Sequence, residues 1–294
     1  MVEYFWFYVV FCMCGALSYK KQEGWHGINL ALENPTKEKV PRIIDIHSHV
    51  LPGLDDGAKD MDETLAMLRI AAKEGITDMI VTPHFNSGMR SANPKTILQV
   101  LRQVRTAAEE NHIPIRLYLG NEVYYFSELP NYLNEKRICT MNAGKHVLVE
   151  FSPSARFHYI RNAMDSLRGA GYRPILAHVE RYNALVEDIE NVRHIKAIGV
   201  QLQVNVYSVI GKNGSSAKRF VHQILEEGLV DYVGTDAHGS KHRTPQMAKC
   251  RDLLLKKYGE AYTTQLLAGN AMRMLQRKNK DKVIKDGDGK QPAK

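Results

Sequence analysis

Apolar and polar positions follow two different periods along residues 42–276. Seven short apolar runs predict β-strands, at 42–46, 78–82, 115–120, 146–151, 174–178, 199–204 and 231–235. Between them, apolar residues recur three or four positions apart and predict amphipathic helices, at 61–74, 95–111, 155–169, 184–198 and 216–227, with further helix at 246–276. This alternation predicts an α/β fold with a parallel sheet. Seven strands favour a single-domain barrel, and an open doubly wound sheet stays an alternative.

Two helix starts carry local sequence signals. Asp60 is a candidate N-cap with Glu63 three positions later, and Gly75 is the matching stop signal. Pro94 stands at a probable first helical position, where its missing N–H costs nothing. These signals support the helices predicted at 61–74 and 95–111.

The first predicted strand ends in two histidines spaced one residue apart. Successive side chains of a strand point to opposite faces, so His47 and His49 share a face while Ser48 points away. Two imidazoles on one face form a ready clamp for a metal ion. The alternative is a half-buried strand with two hydrogen-bonded histidines, and the other strand ends favour the metal.

Metal-binding residue types stand at the ends of nearly all predicted strands. In chain order they are His47 and His49, then His84, Glu122, Glu150 and His178, then only Asn205 for the sixth strand, and finally Asp236 and His238. Active sites of parallel barrels lie at the carboxyl ends of their strands, so these side chains should meet at one rim. One such glutamate alone would more often be a surface residue, but together they predict a site for several metal ions. Asp55-Asp56-Gly57 is an ordinary turn sequence that can add one carboxylate.

Composition excludes several other chemistries. The four cysteines form no CxxC pair and none begins a Cys-x5-Arg loop, which indicates a reducing, cytoplasmic setting and argues against a cysteine-dependent phosphatase. No P-loop sequence occurs. The formal net charge is +8, and residues 277–294 hold seven Lys and Arg against three Asp. This basic tail is predicted to be disordered, and nothing in the body of the chain indicates nucleic-acid binding.

The N-terminal 41 residues divide into an apolar segment and a linker. Residues 4–17 are apolar but shorter than the roughly 20 residues of a spanning helix, and no positive region precedes them. Weak membrane association, a start-site artefact and a helix packed on the domain all stay open for this segment. Residues 22–41 are polar and contain two prolines, as a linker does.

The ordered motifs resemble the PHP (polymerase and histidinol phosphatase) family of metal-dependent phosphoesterases. More narrowly, the chain resembles the bacterial CpsB/YwqE-type protein-tyrosine phosphatases of capsule and exopolysaccharide loci. The motifs are Asp45-Ile-His47-Ser-His49, Asp55-Asp56-Gly57, Thr82-Pro83-His84, Asn121-Glu122-Val-Tyr124-Tyr125, Leu148-Val-Glu150-Phe151, Ala177-His178-Val-Glu180-Arg181-Tyr182 and Gly234-Thr235-Asp236-Ala-His238. They span 42 to about 275, which makes 42–276 the expected phosphatase domain.

The resemblance implies a distorted seven-stranded, TIM-like barrel and three divalent ions, commonly Mn²⁺. It assigns ligands as follows: His47, His49, Glu122 and Asp236 to the first ion; Glu122, Glu150 and His178 to the second; Asp56, His84 and His238 to the third. It also implies phosphate binding by Arg181 and Arg243. Val179 departs from the family pattern, where Pro or Ile often stands. By ligand type alone, iron and zinc would suit the same residues.

Three functions remain in competition at this point. The first is a metal-dependent protein-tyrosine phosphatase that acts on a cognate bacterial tyrosine kinase and so regulates capsule synthesis. The second is a small-molecule phosphatase of the same superfamily, for example one for histidinol phosphate. The third is a silent metal-binding scaffold that docks a kinase through its basic tail. The complete ligand set disfavours the scaffold, and the stretches 121–125 and 178–182 favour the tyrosine phosphatase.

Overall fold

Nine short parallel strands carry the residues predicted to form the site. The structure is a computed structural model that describes residues 42–276 with the exception of Arg90. The strands are β1 (Ile44–Ser48), β2 (Asp78–Val81), β3 (His84–Phe85), β4 (Arg116–Leu119), β5 (Glu122–Tyr124), β6 (His146–Glu150), β7 (Arg173–Leu176), β8 (Gln201–Asn205) and β9 (Tyr232–Gly234). Predictions made for 1–41 and 277–294, including the apolar segment and the basic tail, fall outside the described residues.

The nine strands fill seven positions, because two of these positions each hold a strand that is divided into two pieces. One sheet has the order β1-β2-β4 and the other the order β3-β5-β6-β7-β8-β9, with every pairing parallel. β2 and β3 are one strand broken at residues 82–83, and β4 and β5 are one strand broken at residues 120–121. The predicted α/β class and the seven strand positions are confirmed. The two breaks were not predicted.

The breaks have local causes. Pro83 has no backbone N–H and cannot continue the ladder as a donor. The side chain of Asn121 then replaces ladder bonds, since its Nδ2 donates to the carbonyl of Pro83 at 2.7 Å and its Oδ1 accepts from the backbone N–H of Cys139 at 2.9 Å. Because a pleated strand restarts after each break, His84 and Glu122 stand at the first positions of β3 and β5 and pair in register.

The first strand, β1, lies beside the chain segment that follows the last strand, β9. Ser48 and Ala237 form a single parallel bridge, with backbone bonds from His49 N–H to the Ala237 carbonyl at 2.9 Å and from Asp236 N–H to the His47 carbonyl at 2.8 Å. Buried Asp45 strengthens this seam, because its carboxylate accepts from the backbone N–H of Thr235 at 3.0 Å and from the Thr235 hydroxyl at 2.5 Å. The sheet therefore curls so that its first and last strands both lie beside His47 and His49.

Helices cover the outside of the strands. They are α1 (Met61–Lys73), α2 (Pro94–Glu110), α3 (Leu129–Asn134), α4 (Phe157–Gly169), α5 (Asn183–Val186), α6 (Ile189–Ala197), α7 (Val206–Val209), α8 (Ser215–Glu226), α9 (Ala248–Thr264) and α10 (Asn270–Leu275), with a π-helical turn at Gln265–Gly269. The Asp60 side chain accepts from Glu63 N–H at 2.9 Å and Pro94 begins α2, as predicted. The helix predicted at 184–198 is instead two helices, since Asp188 caps a new start at Ile189.

The apolar residues of the strands and of the helices form the core. The larger cluster lies between the strands and the outer helices, where it includes Leu68, Leu101, Ile160 and Val221. A smaller cluster joins alternate residues of β1 with strand residues across the sheet and with α10; its buried members are Ile44, Ile46, Ile80, Met141, Leu148, Ile175, Ala177, Tyr232, Ala271 and Met274. Among the described residues, no helix is both long and apolar enough to cross a membrane.

Candidate metal centre

All nine residues predicted as metal ligands converge at the carboxyl ends of the strands. Their ligand atoms form three overlapping groups, in each of which the atoms lie within 4.8 Å of one another. The groups are His47, His49, Glu122 and Asp236; His84, Glu122 and Glu150; and His49, Asp56, His84 and His238. His178 joins the second group through its contact with Glu122. The three groups overlap, so the side chains form a single polar centre that could hold metal ions.

The first group is fully buried. The Nε2 atoms of His47 and His49 are 3.2 Å apart, and both face Glu122 Oε2, at 3.0 and 3.2 Å. Asp236 Oδ1 lies 3.5 Å from each of the same two nitrogens. Two imidazoles and two carboxylates thus surround one point with almost no exposure to solvent.

Glu122 connects the first group to the second. Its Oε1 atom lies 2.8 Å from His178 Nε2, which is also 3.6 Å from Glu150 Oε2. His84 Nδ1 lies 3.3 Å from Glu122 Oε2 and 3.2 Å from Glu150 Oε1. The two oxygens of Glu122 therefore contact residues of both groups, which would allow this carboxylate to bridge two ions.

The third group is the open side of the centre. Asp56 Oδ1 lies 3.4 Å from the Nε2 atoms of both His84 and His238. The Asp56 side chain is 68% exposed and that of His84 32% exposed, whereas His238 is only 8% exposed. A substrate can therefore approach from this side, while the first group stays closed.

Hydrogen bonds set which ring nitrogen faces the centre. The Nδ1 atoms of His47, His49 and His238 lie 3.2, 2.7 and 3.0 Å from the oxygens of Gln203, Asp55 and the Asp236 backbone. These oxygens can only accept, so each Nδ1 carries a proton, and each Nε2 presents a lone pair whenever its ring is neutral. Glu122 Oε2 is buried beside two of these Nε2 atoms, those of His47 and His49, yet it makes no hydrogen bond of good geometry with the described residues. Converging lone pairs and an unsatisfied carboxylate fit a divalent cation.

The ionisation of these groups reflects their mutual contacts. Burial alone would lower the pKa of His49, but hydrogen bonds with Asp55 and Glu122 outweigh it and raise the pKa to about 10. Burial likewise opposes the protonation of His178, whose pKa rises to about 9 beside Glu122 and Glu150. Burial would raise the pKa of Glu122, and the neighbouring histidines reverse this and lower it well below its usual value. The centre thus holds ionised carboxylates that favour positive charge.

Two arginines reach the same carboxylate from its outer side. Arg181 Nη2 and Arg243 Nη2 each lie 2.6 Å from Asp236 Oδ2, and Asn205 Nδ2 donates to that oxygen at 2.8 Å. The other oxygen, Oδ1, faces His47 and the ligand groups. Each guanidinium is about two-fifths exposed and keeps further N–H donors for an anion at the centre.

Three residues of this centre have a strained backbone conformation. His178, Asp236 and Arg243 adopt left-handed φ values of 32°, 50° and 47° without being glycine. Such conformations cost roughly 1–3 kcal/mol each and persist where the surrounding structure enforces them. Gly57 and Gly234 permit the packing around the histidines, because a Cβ at Gly57 would lie 2.0 Å from the His49 carbonyl oxygen and a Cβ at Gly234 would lie 2.9 Å from the His47 Cβ.

The supporting roles of Asp55, Gln203 and Asn205 were not predicted from the sequence. Asp55 points to His49 Nδ1 rather than to the centre, so only Asp56 of the Asp-Asp-Gly turn faces the ligand groups. Gln203 accepts from His178 N–H at 2.8 Å and donates to Asn205 Oδ1 at 2.8 Å, which extends the hydrogen-bond chain to Asp236. The sequence signal for Gln203 and Asn205 was that two amide side chains stand two positions apart, and so on one face, in a strand that ends at the rim.

The structure also bears on cysteine chemistry. Cys139 and Cys250 are buried, and burial raises the pKa of the Cys139 thiol to about 12 and that of Cys250 still higher. Neither thiol lines the centre. Among the described residues, no cysteine therefore offers the low-pKa thiolate that a cysteine-dependent phosphatase needs.

Comparison with known proteins identifies relatives with the same chemistry. The family model for capsular polysaccharide synthesis proteins of the CpsB/CapC type matches residues 43–276. The tyrosine-protein phosphatase CpsB of Streptococcus pneumoniae is 31% identical over 238 residues, which are 79% of this chain and 98% of that protein. The tyrosine-protein phosphatase YwqE of Bacillus subtilis is 30% identical over 217 residues, covering 74% and 85%.

Solved structures agree with the sequence relatives. A metal-dependent tyrosine phosphatase from crystal structures of YwqE and CpsB superposes with a TM-score of 0.75 at 30% identity, covering 79% of this chain and 94% of that one. The phosphotriesterase homology protein of Escherichia coli, at 12% identity and a TM-score of 0.51, shares the fold alone. The predicted PHP-type, TIM-like fold is thereby confirmed. The chain belongs to the CpsB/CapC family, a family of metal-dependent tyrosine phosphatases that serve capsular polysaccharide synthesis.

Proposed function

We propose that this chain removes phosphate from phosphotyrosine on a cognate bacterial tyrosine kinase and thereby regulates capsule or exopolysaccharide synthesis. The observation that carries the proposal is the single centre in which nine ligand residues and two arginines meet. Its catalytic domain comprises 42–276. The relatives named tyrosine-protein phosphatases support this substrate class, and the metal-dependent structural neighbour supports the chemistry.

We further propose three divalent ions, with Mn²⁺ as the native metal. The first is held by His47, His49, Glu122 and Asp236, the second by Glu122, Glu150 and His178, and the third by Asp56, His84 and His238. When bound, the ions would lower the pKa of a water molecule and neutralise charge on the phosphate. The spare lone pairs and the bridging position of Glu122 support this assignment.

The protein's own groups then orient the substrate. Arg181 and Arg243 are proposed to bind the non-bridging phosphate oxygens, while Asp236 fixes both guanidinium groups in position. Fixed donors aimed at the phosphate stabilise the charge of the transition state without rearrangement. A tyrosyl phenol leaves with a pKa of ~10, so it needs little help from a general acid. The lack of an assigned general acid is therefore compatible with an aryl phosphate substrate.

The first experiment compares substrates and metal dependence. We expect purified protein to release phosphate from a tyrosine-phosphorylated peptide with Mn²⁺, to lose this activity with a chelator, and to release little from histidinol phosphate. The opposite preference would move the function to small-molecule metabolism. No release from either compound would instead favour the scaffold hypothesis.

A variant pair tests the centre itself. Replacing both His47 and His49 by Ala should abolish turnover, because each supplies an Nε2 lone pair to the first group. His158 is an exposed histidine on α4 and gives the control His158→Ala, which should keep full activity. Full turnover by the double variant would refute the site assignment.

A further inference from the structure

Two cavities lie side by side along one flank of the metal centre. The inner cavity, of about 340 Å³, is lined by Asp56, His84 and Glu150 at its base. The outer cavity has a volume of about 550 Å³. Phe85 and Ser91 line both, so the two cavities adjoin; together they are called the groove, and its inner end lies at the predicted ligands.

The inner part of the groove suits an aromatic side chain. Beyond the ligand residues its wall is apolar, with Leu54, Phe85 and Met89. Met89 is 73% exposed, so its side chain is accessible to a ligand in the cavity. A phosphate bound at the metal centre beside Asp56 and His84 would therefore place an attached phenyl ring against these three residues.

The outer part of the groove is basic. Lys95, Lys136 and Arg137 line it together with Tyr132, and its described lining residues include no acidic side chain. The Arg137 guanidinium lies 3.6 Å from the centroid of the Tyr132 ring, which holds it in place by a cation–π contact. Glu135 lies 3.5 Å from Arg137. Neither Lys95 nor Lys136 forms an ion pair with another described residue. The lining therefore favours an anion.

The two parts are close enough for one short peptide to fill both. The Tyr132 ring centroid lies 6.2 Å from that of Phe85, and Phe85 follows His84 directly in the chain. An extended peptide advances ~3.3 Å per residue. The steps of 6.2 Å from the Phe85 ring to the Tyr132 ring and of 3.6 Å on to the Arg137 guanidinium thus match about three residues of extended peptide.

We propose that this groove selects peptides that carry an acidic group about three residues from the phosphotyrosine, through Lys95, Lys136 and Arg137. The inference rests on the proposed phosphotyrosine activity and adds its substrate specificity. The recognised group is an anion of the same peptide, either a carboxylate or a second phosphate. The effect should appear in KM, because the basic residues stand away from the reacting phosphate.

Steady-state kinetics on matched phosphopeptides test the proposal. One peptide carries Asp three residues to each side of the phosphotyrosine, a second carries neutral residues there, and a third carries the Asp residues eight positions away. For the unmodified protein we expect a KM about three- to tenfold lower with the first peptide than with the other two, at similar kcat. The preference should shrink as salt is raised.

Two variants separate this groove from general surface charge. K95A/K136A should remove the preference, whereas K249A/K256A, which removes two exposed lysines from α9 that line neither cavity, should keep it. Both variants should hydrolyse para-nitrophenyl phosphate at the unmodified rate, which shows that they are folded and active. Equal KM values for all three peptides, or a preference that survives K95A/K136A, would overturn the groove proposal and leave the phosphatase intact. Hydrolysis of para-nitrophenyl phosphate without hydrolysis of any peptide would instead overturn the proposed function, and the groove proposal with it.

Discussion

Replacing Asp55 by Asn should weaken metal binding although Asp55 is not a predicted ligand. Its carboxylate accepts three hydrogen bonds: from His49 Nδ1 at 2.7 Å, from the backbone N–H of His84 at 3.0 Å and from that of Gly57 at 3.0 Å. The first two reach one oxygen and the third reaches the other. An asparagine has only one acceptor oxygen, so its NH₂ group must face an N–H donor on one side.

The size of the effect follows from these contacts. If the NH₂ group faces His49, the ring loses the acceptor that keeps the proton on Nδ1 and the lone pair on Nε2. Loss of such an outer partner costs 10- to 100-fold in metal affinity, which is about 1.4–2.7 kcal/mol. The side chain of Asp55 is only 4% exposed, so water cannot easily replace the lost bond. Since Asp55 does not face the centre, saturating metal should restore most of kcat.

The assay measures activity as a function of free Mn²⁺ for metal-free protein. We expect Asp55→Asn to shift the half-activating concentration upward by at least tenfold. Asp165→Asn, which changes an exposed carboxylate on α4, should leave it unchanged. A midpoint for Asp55→Asn within twofold of the unmodified protein would show that Asp55 does not orient His49.

Three further predictions concern Arg181, the protons released on metal binding and the ion pairs of Asp78. Arg181→Lys should lower kcat/KM for a phosphotyrosine peptide at least tenfold in steady-state assays, because an ammonium cannot bind Asp236 and two phosphate oxygens in one plane. Calorimetry in buffers of different ionisation enthalpy should detect proton release on metal binding, with affinity that rises with pH up to about 9–10, because protonated His49 and His178 must lose protons to become ligands. Asp78→Asn should destabilise the fold by about 2 kcal/mol in denaturant titrations, since buried Asp78 binds two arginines. Those arginines lower the folded-state pKa of Asp78, so its stabilisation is present above pH ~4 and is lost as the pH falls further, and the variant should show a flatter acid dependence.

The sequence predicted that these side chains would meet at one rim, because parallel strands of a barrel bring their carboxyl ends to the same edge. Glu150 and His178 are far apart in the chain, yet both end up at the carboxyl edge, where neighbouring parallel strands finish at the same level. Only the strand positions and the direction of the chain were needed for this inference. The same logic placed His47 beside Asp236, because the last strand returns to the first.

The strand breaks were not predictable from periodicity. The predicted strand ended at residue 120, where Gly120, Asn121 and Glu122 interrupt the apolar pattern, and the three residues of β5 that follow are too few to show a period of their own. The break depends on tertiary bonds from Asn121 to Pro83 and Cys139, which no local pattern contains. Its consequence is functional, since the restart fixes Glu122 at the first position of β5, opposite His84.

The division of labour between Asp55 and Asp56 shows most clearly what geometry adds. Both belong to one turn and both are carboxylates, so the sequence gives no reason to separate them. Gly57 decides between them, because its backbone packs against His49 so closely that no Cβ fits, and this contact fixes the path of the turn. The buried Asp55 then orients His49, while the exposed Asp56 stands at the open third group beside the groove. A single turn therefore links the orientation of a buried ligand to the place where substrate enters. Asp55→Asn should mainly lower metal affinity. Asp56→Asn should lower metal affinity and also lower kcat at saturating metal.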